Sequence, residues 1–172
     1  LSRFVGSEKV LFNIIDNGRD RFQNYDSIGM FVNTLPLLVD CTNQNVNSFL
    51  DYMSDMVYGV IKYNFYPFRF LANKYEINSN IIFQFIPEWI RDSGEFDEGT
   101  VADDDIIGNM DDLIADLEVE VVQRGRAYVL SVMYSDKYSG VFIDRFIECF
   151  QLILHGMMDV NYLSDINCVS DS

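Results

Sequence analysis

Three places in the chain carry residue types and spacings that could do chemistry. The first is Asn17-Gly18-Arg19-Asp20-Arg21, followed after a polar spacer by Ile28-Gly29-Met30-Phe31-Val32-Asn33-Thr34-Leu35-Pro36-Leu37. A guanidinium at Arg19 could line a chamber or tie two loops by an ion pair. A carboxamide at Asn33, isolated in an apolar run, could act at a site or hydrogen-bond its own turn. The second is His155-Gly156-Met157-Met158-Asp159, a His-x-x-x-Asp string around the only histidine, with side chains suited to general acid–base work. The third is Asp103-Asp104-Asp105, a run of oxygen donors of the kind hard cations take.

Each has to be set against the element that would position it. Gly29 and Pro36 limit where regular structure can sit in the first stretch. A proline removes a ladder donor, so Thr34–Asp40 is expected as an edge or late-starting strand. Val10–Ile15, before the Asn17-Gly18 turn, reads as a buried strand. Val46, Phe49, Leu50, Met53, Val57, Val60 and Ile61 recur at helical spacing with Asn45 as N-cap. Tyr66-Pro67 opens a shorter helix, with Pro67 in its first turn and Phe68, Leu71 and Tyr75 on one face. Ile81–Ile86 is a strand ending at Pro87. Leu117–Val121 alternates as a half-buried strand, Gln123–Arg126 turns, and Ala127–Tyr134 returns as the second arm of a hairpin. Ser139 caps a last helix whose stripe is Ile143, Phe146, Ile147, Phe150, Ile153, Leu154 and Met157, read as core rather than as a cofactor box.

Composition bounds the function. At 172 residues and 49% apolar, the chain can bury one substantial core, and residues 1–172 are read as one domain. A net charge of −15 speaks against nucleic acid and against an anionic membrane surface. No stretch reaches the roughly eighteen apolar residues that span a bilayer, and no signal-peptide pattern opens the chain. The opening Leu1 suggests a piece of something larger. Cys41, Cys149 and Cys168 are scattered and odd in number, as expected of reduced thiols in a cytoplasmic protein. Between Glu88 and Glu120 stand thirteen acidic residues and one basic residue, Arg91. Residues 88–116 are therefore expected to form a solvated, flexible acidic loop rather than a metal site.

The wording of the first stretch resembles the condensation domains of nonribosomal peptide synthetases. There a Gly-Arg pair precedes an Ile-Gly-x-Phe-Val-Asn-Thr-Leu-Pro-Leu passage, matched here by Gly18, Arg19 and Ile28–Leu37. Asn64-Phe65-Tyr66-Pro67-Phe68-Arg69-Phe70-Leu71 is similar to the family's later Tyr-Pro-Phe motif, although Tyr63-Asn64 stands where the family has a His-Gln or Asn-Gln pair. Ile82-Phe83-Gln84-Phe85 fits the strand that follows, and the similarity covers most of residues 8–160. The family's His-His-x-x-x-Asp-Gly motif is missing. The His155 string lies near the C-terminus, with Leu154 in place of the first histidine and Val160 in place of the glycine. It is read as a coincidence of a short pattern outside its context.

The resemblance implies the C-terminal subdomain of a condensation domain: an α/β two-layer sandwich, a mixed sheet with helices on one face, chloramphenicol-acetyltransferase-like. It implies a partner N-terminal half holding the histidine motif, and peptidyl carrier domains delivering thioesters on phosphopantetheine, with no cofactor bound directly. No residue here is then catalytic, and no metal is expected. Arg19 and Asn33 would line or support the channel, whereas Gly18, Gly29, Phe31, Thr34, Pro36, Tyr66, Pro67 and Phe68 would shape the structure. A separated half would expose the face it turns to its partner, so a homodimer is expected. The alternative is a non-catalytic interaction module, a degenerate half-domain that binds a carrier domain or itself.

Overall fold

The structure is a computed structural model, and it describes residues 1–18, 28–29, 31–42, 44–77, 80–88 and 115–167. Five strands form one sheet in the order β2-β1-β3-β4-β5: β1 Lys9–Asp16, β2 Asn33–Asp40, β3 Ile81–Ile86, β4 Leu117–Arg124 and β5 Ala127–Tyr134. β2 runs antiparallel to β1 and β5 antiparallel to β4, while β1, β3 and β4 are mutually parallel, which makes the sheet mixed. The helices are α1 Ser2–Val5, α2 Val46–Ile61, α3 Phe68–Tyr75 and α4 Gly140–Asp159.

The proline-bearing strand does take the edge, where the donor that Pro36 lacks costs no ladder bond to a second neighbour. β3 and β5 have the expected bounds, while β1 and β4 run longer than their patterns suggest, because pairing carries β1 on to Asp16 and β4 on to Arg124. The hairpin turn therefore shrinks to Gly125-Arg126. Gly125, at φ +60°, supplies the positive dihedral that a two-residue hairpin loop requires.

Side chains alternate across the strands, so register decides which residues meet the helices. Val10 and Phe12, Leu35 to Val39 in alternation, Phe83 and Val119 share the face under α2 and α4. Phe49 and Met53 of α2 and Phe146 and Phe150 of α4 descend on that face. A core cluster lies under α4, where Leu117, Val119, Ile143 and Phe146 are all buried. Phe4 of α1 packs edge-on against Phe142 and Phe146, with ring centroids 4.8 and 5.7 Å apart. The opposite face carries Asn13, Gln84, Glu118 and Glu120 beside Ile82 and Ile86.

Helix starts follow the cap chemistry. Asn45 Oδ1 accepts from the N–H of Asn47 at 3.0 Å and of Ser48 at 3.5 Å, and Ser139 Oγ accepts from the N–H of Phe142 at 3.3 Å. Pro67 is the extended cap residue before α3 rather than part of its first turn. Both long helices are rotated from the orientation their stripes suggest. Leu50 and Ile61 on α2 and Leu154 on α4 stand exposed at the stripe margins, while Met56 and Cys149 turn inward. Tyr75 is likewise exposed. Among the described residues, no helix is long and apolar enough to cross a membrane.

Candidate functional site

The antiparallel register of β1 and β2 sets Asp16, the last residue of one strand, opposite Asn33, the first of the other. The connection from α2 to α3 passes over this end of the sheet and places Asn64 there, 5% exposed. Asn64 Nδ2 donates to Asp16 Oδ2. Asn33 Nδ2 donates to the carbonyls of Asn64 at 2.5 Å and Tyr66 at 2.8 Å, and Asn33 Oδ1 accepts from the N–H of Phe68 at 3.4 Å. Because Pro67 offers α3 no side-chain cap, Asn33 caps that helix from a distant strand.

Gly18 completes the junction. Its φ is +69°, and a Cβ there would sit 2.4 Å from the Phe31 carbonyl and 3.3 Å from Asn64 Nδ2. Only a residue without a side chain lets the chain leave β1 at this point. The three stretches singled out from the sequence, Asn17-Gly18, Phe31–Leu37 and Asn64–Phe68, thus converge on one hydrogen-bonded joint.

Asn33 bonds to residues more than thirty positions away, not to its own turn. Thr34 and Pro36 continue β2 opposite Ile15 and Asn13. Phe31 lends its carbonyl to the contact with Gly18, and its ring lies 3.3 Å from where a Cβ on Gly29 would be. Tyr66 gives Asn33 a carbonyl and keeps its ring partly outside, and Phe68 gives its amide. Arg19, Met30, Cys168 and residues 89–114, with the Asp103 run, lie outside the described residues. His155 is exposed on α4 and takes no part in the joint. Sequence reasoning missed Asp16 and Asn64. The available signal was an asparagine lodged between the aromatics Tyr63 and Phe65, where an unpaired amide would be costly to bury.

Among the described residues, the ion pairs lie at the other end of the sheet. Lys9 Nζ is 3.9 Å from Asp40, and Lys137 Nζ is 2.6 Å from Asp116, which also accepts from Asn80 at 2.9 Å. Hydrogen bonds from Lys137 and Asn80 hold the Asp116 carboxyl below its ordinary range, and those from Thr42 do the same for Asp40. Among the described residues, no group of three or more His, Cys, Asp or Glu side chains could hold a metal ion.

Beside the joint lies a groove of about 610 Å³ between β2, α2 and α3, walled by Pro36, Tyr63, Tyr66, Leu71 and Tyr75. Tyr63, Phe65, Phe70 and Tyr75 are all more than half exposed around it. Three of the chain's basic residues, Lys62, Arg69 and Lys74, fall between Ile61 and Tyr75 with no acidic residue among them. Of these three, Lys74 lines the groove.

The model of the condensation domain family matches residues 1–171. The chain belongs to the condensation-domain family. Solved structures share its fold at low identity. The four-domain nonribosomal peptide synthetase AB3403 superposes with a TM-score of 0.78 at 13% identity, over 95% of this chain and 14% of that one. The starter condensation domain of rhizomide synthetase RzmA gives 0.66 at 16% identity, over 99% of this chain and 42% of that one. The first condensation domain of the CDA synthetase gives 0.68 at 14%, over 99% and 40%. The chain therefore spans about two fifths of the length of the isolated condensation domains it matches. No curated protein matches it in sequence.

Proposed function

We propose that this chain is the C-terminal subdomain of a nonribosomal peptide synthetase condensation domain, acting in the cytoplasm with an N-terminal half that carries His-His-x-x-x-Asp-Gly. The reaction joins two thioesters held on the phosphopantetheine arms of carrier domains. The acceptor amine attacks the donor carbonyl, the carbon–sulfur bond breaks, and the donor arm leaves as a thiol while the new amide stays on the acceptor. Moving the amine proton needs a titratable group in reach, and that task falls to the histidine motif of the other half. This chain supplies a wall of the channel, with Arg19 and the Asn33 joint at its edge. The observation that carries the reading is the convergence of the Gly18, Asn33 and Asn64–Phe68 stretches on one rigid joint, within a chain that belongs to this family.

The test mixes this chain with an N-terminal half bearing the histidine motif and with carriers loaded with donor and acceptor. Product is expected only when both halves are present. Product from this chain alone that vanishes in His155→Ala would overturn the proposal, as would a stable two-half complex that makes none.

The aromatic groove, with Lys74 in its wall, favours a second reading, an interaction module that holds an acidic carrier domain or a second copy of this chain. That reading predicts carrier binding by this chain alone, weakened by Lys74→Glu.

A further inference from the structure

A second cavity, unrelated to the joint, lies between the helix layer and the sheet. It has a volume of about 290 Å³, is walled by Val39, Phe49, Phe83, Phe146 and Ile153, and has Arg3 and Cys41 among its lining residues. An engineered apolar cavity of about 150 Å³ stays dry and takes up benzene. The space here is about twice that size and mostly apolar, but it is a half-open cleft, with Phe49, Phe83 and Ile153 among the lining side chains that are only partly buried. An open apolar cleft leaves its lining against water, and covering that lining with an apolar body is favourable.

The lining restricts the class of occupant. The walls offer mainly aliphatic and aromatic carbon to a flexible apolar body, with Ser2 and Cys41 as the polar side chains beside Arg3. Arg3 is the only charged residue in the lining. One of its Nη atoms donates to the Leu163 carbonyl, which steadies the guanidinium, and among the described residues no carboxylate forms an ion pair with it. On a chain of net charge −15, a cation without a carboxylate partner beside an apolar cavity selects for an anionic head on an apolar tail.

We propose that this cavity binds a medium-chain fatty carboxylate, with the chain between α2, α4 and the sheet and the carboxylate against Arg3.

The test uses sodium decanoate and 1-decanol with the 172-residue chain. Decanoate is expected to raise the melting midpoint saturably, by about 5–10 °C at a hundredfold excess over its Kd. It should also slow alkylation of Cys41, located by peptide mapping, relative to Cys149. Arg3→Gln, an exposed change that leaves the packing intact, should weaken decanoate about tenfold and leave decanol unchanged. Ile153→Trp should fill the cavity and abolish both ligands, and if that variant fails to fold, Arg3→Gln with Cys41 protection decides the matter. An unsaturable or negative thermal shift, undiminished binding to a folded Ile153→Trp, or equal decanoate affinity in Arg3→Gln would overturn the proposal.

Discussion

The core under α4 and the joint at the end of β1 and β2 hold the chain together by opposite means. Under α4, Leu117, Val119, Ile143 and Phe146 interlock through volume alone, and another apolar side chain of similar size could serve. At the joint, Asp16, Asn33 and Asn64 interlock through donors and acceptors whose positions leave little choice of residue. The same fold persists at 13–16% identity in the solved condensation domains. Such drift is easily absorbed by a core that constrains size and pattern. The joint constrains chemistry, so it is where a reader of the sequence meets recognisable words.

The comparison breaks if the two regions answer alike to substitution. The largest effect is expected in the core. Phe146→Ala should cost about 3–5 kcal/mol by denaturant unfolding, whereas Phe146→Leu should cost less than half of that. At the joint the ranking reverses. Asn33→Ala strands two carbonyls and an amide and should cost about 2–3 kcal/mol. Asn33→Asp, closer in shape, should be no milder because it turns acceptors toward the Asn64 and Tyr66 carbonyls. A mild Asn33→Asp would mean that the joint is held by shape as the core is.

Glu120 sharpens the contrast from the opposite face of the sheet, being part-buried with no hydrogen-bond donor among the described residues. Burial first, and then the neighbouring Glu118 charge, push its carboxyl above the ordinary value. The folded state therefore favours the protonated form. That contribution is fully present below the unfolded pKa and is lost as pH rises through the raised folded value. Glu120→Gln should raise the melting midpoint at neutral pH and lose this advantage near about pH 4. An equal gain at both pH values would point to packing rather than charge. The smallest effect belongs to His155. On the exposed side of α4, His155→Gln should move stability by no more than about 0.5 kcal/mol.

These regions also differ in how far they could be read in advance. The strands, both long helices and the caps at Asn45 and Ser139 follow from local periodicity and local chemistry, which the sequence displays directly. The rotation that exposes Leu50, Ile61 and Leu154 does not, because a wide apolar stripe fits several orientations and the sheet beneath chooses among them. The stretch around Asn33 could be recognised, but not its partners. Asp16 and Asn64 are ordinary polar residues until the register of β1 with β2 and the path into α3 bring them within reach.

One feature of the sheet has a kinetic consequence. β1 meets β3 over only two register pairs, Asn13 with Ile82 and Ile14 with Phe83, while β1–β2 and β4–β5 are paired along their full lengths. The β4–β5 hairpin closes through a two-residue turn and can form early, whereas the β1–β3 contact must wait for a long stretch of chain to be gathered in. The middle of the sheet is thus a seam, the last line to close in folding and the first along which the structure can open. Native-state hydrogen exchange should show the amides that β1 and β3 donate to each other around Asn13–Ile14 and Ile82–Phe83 exchanging ahead of those in the β4–β5 ladder, dividing the chain into two units that open independently.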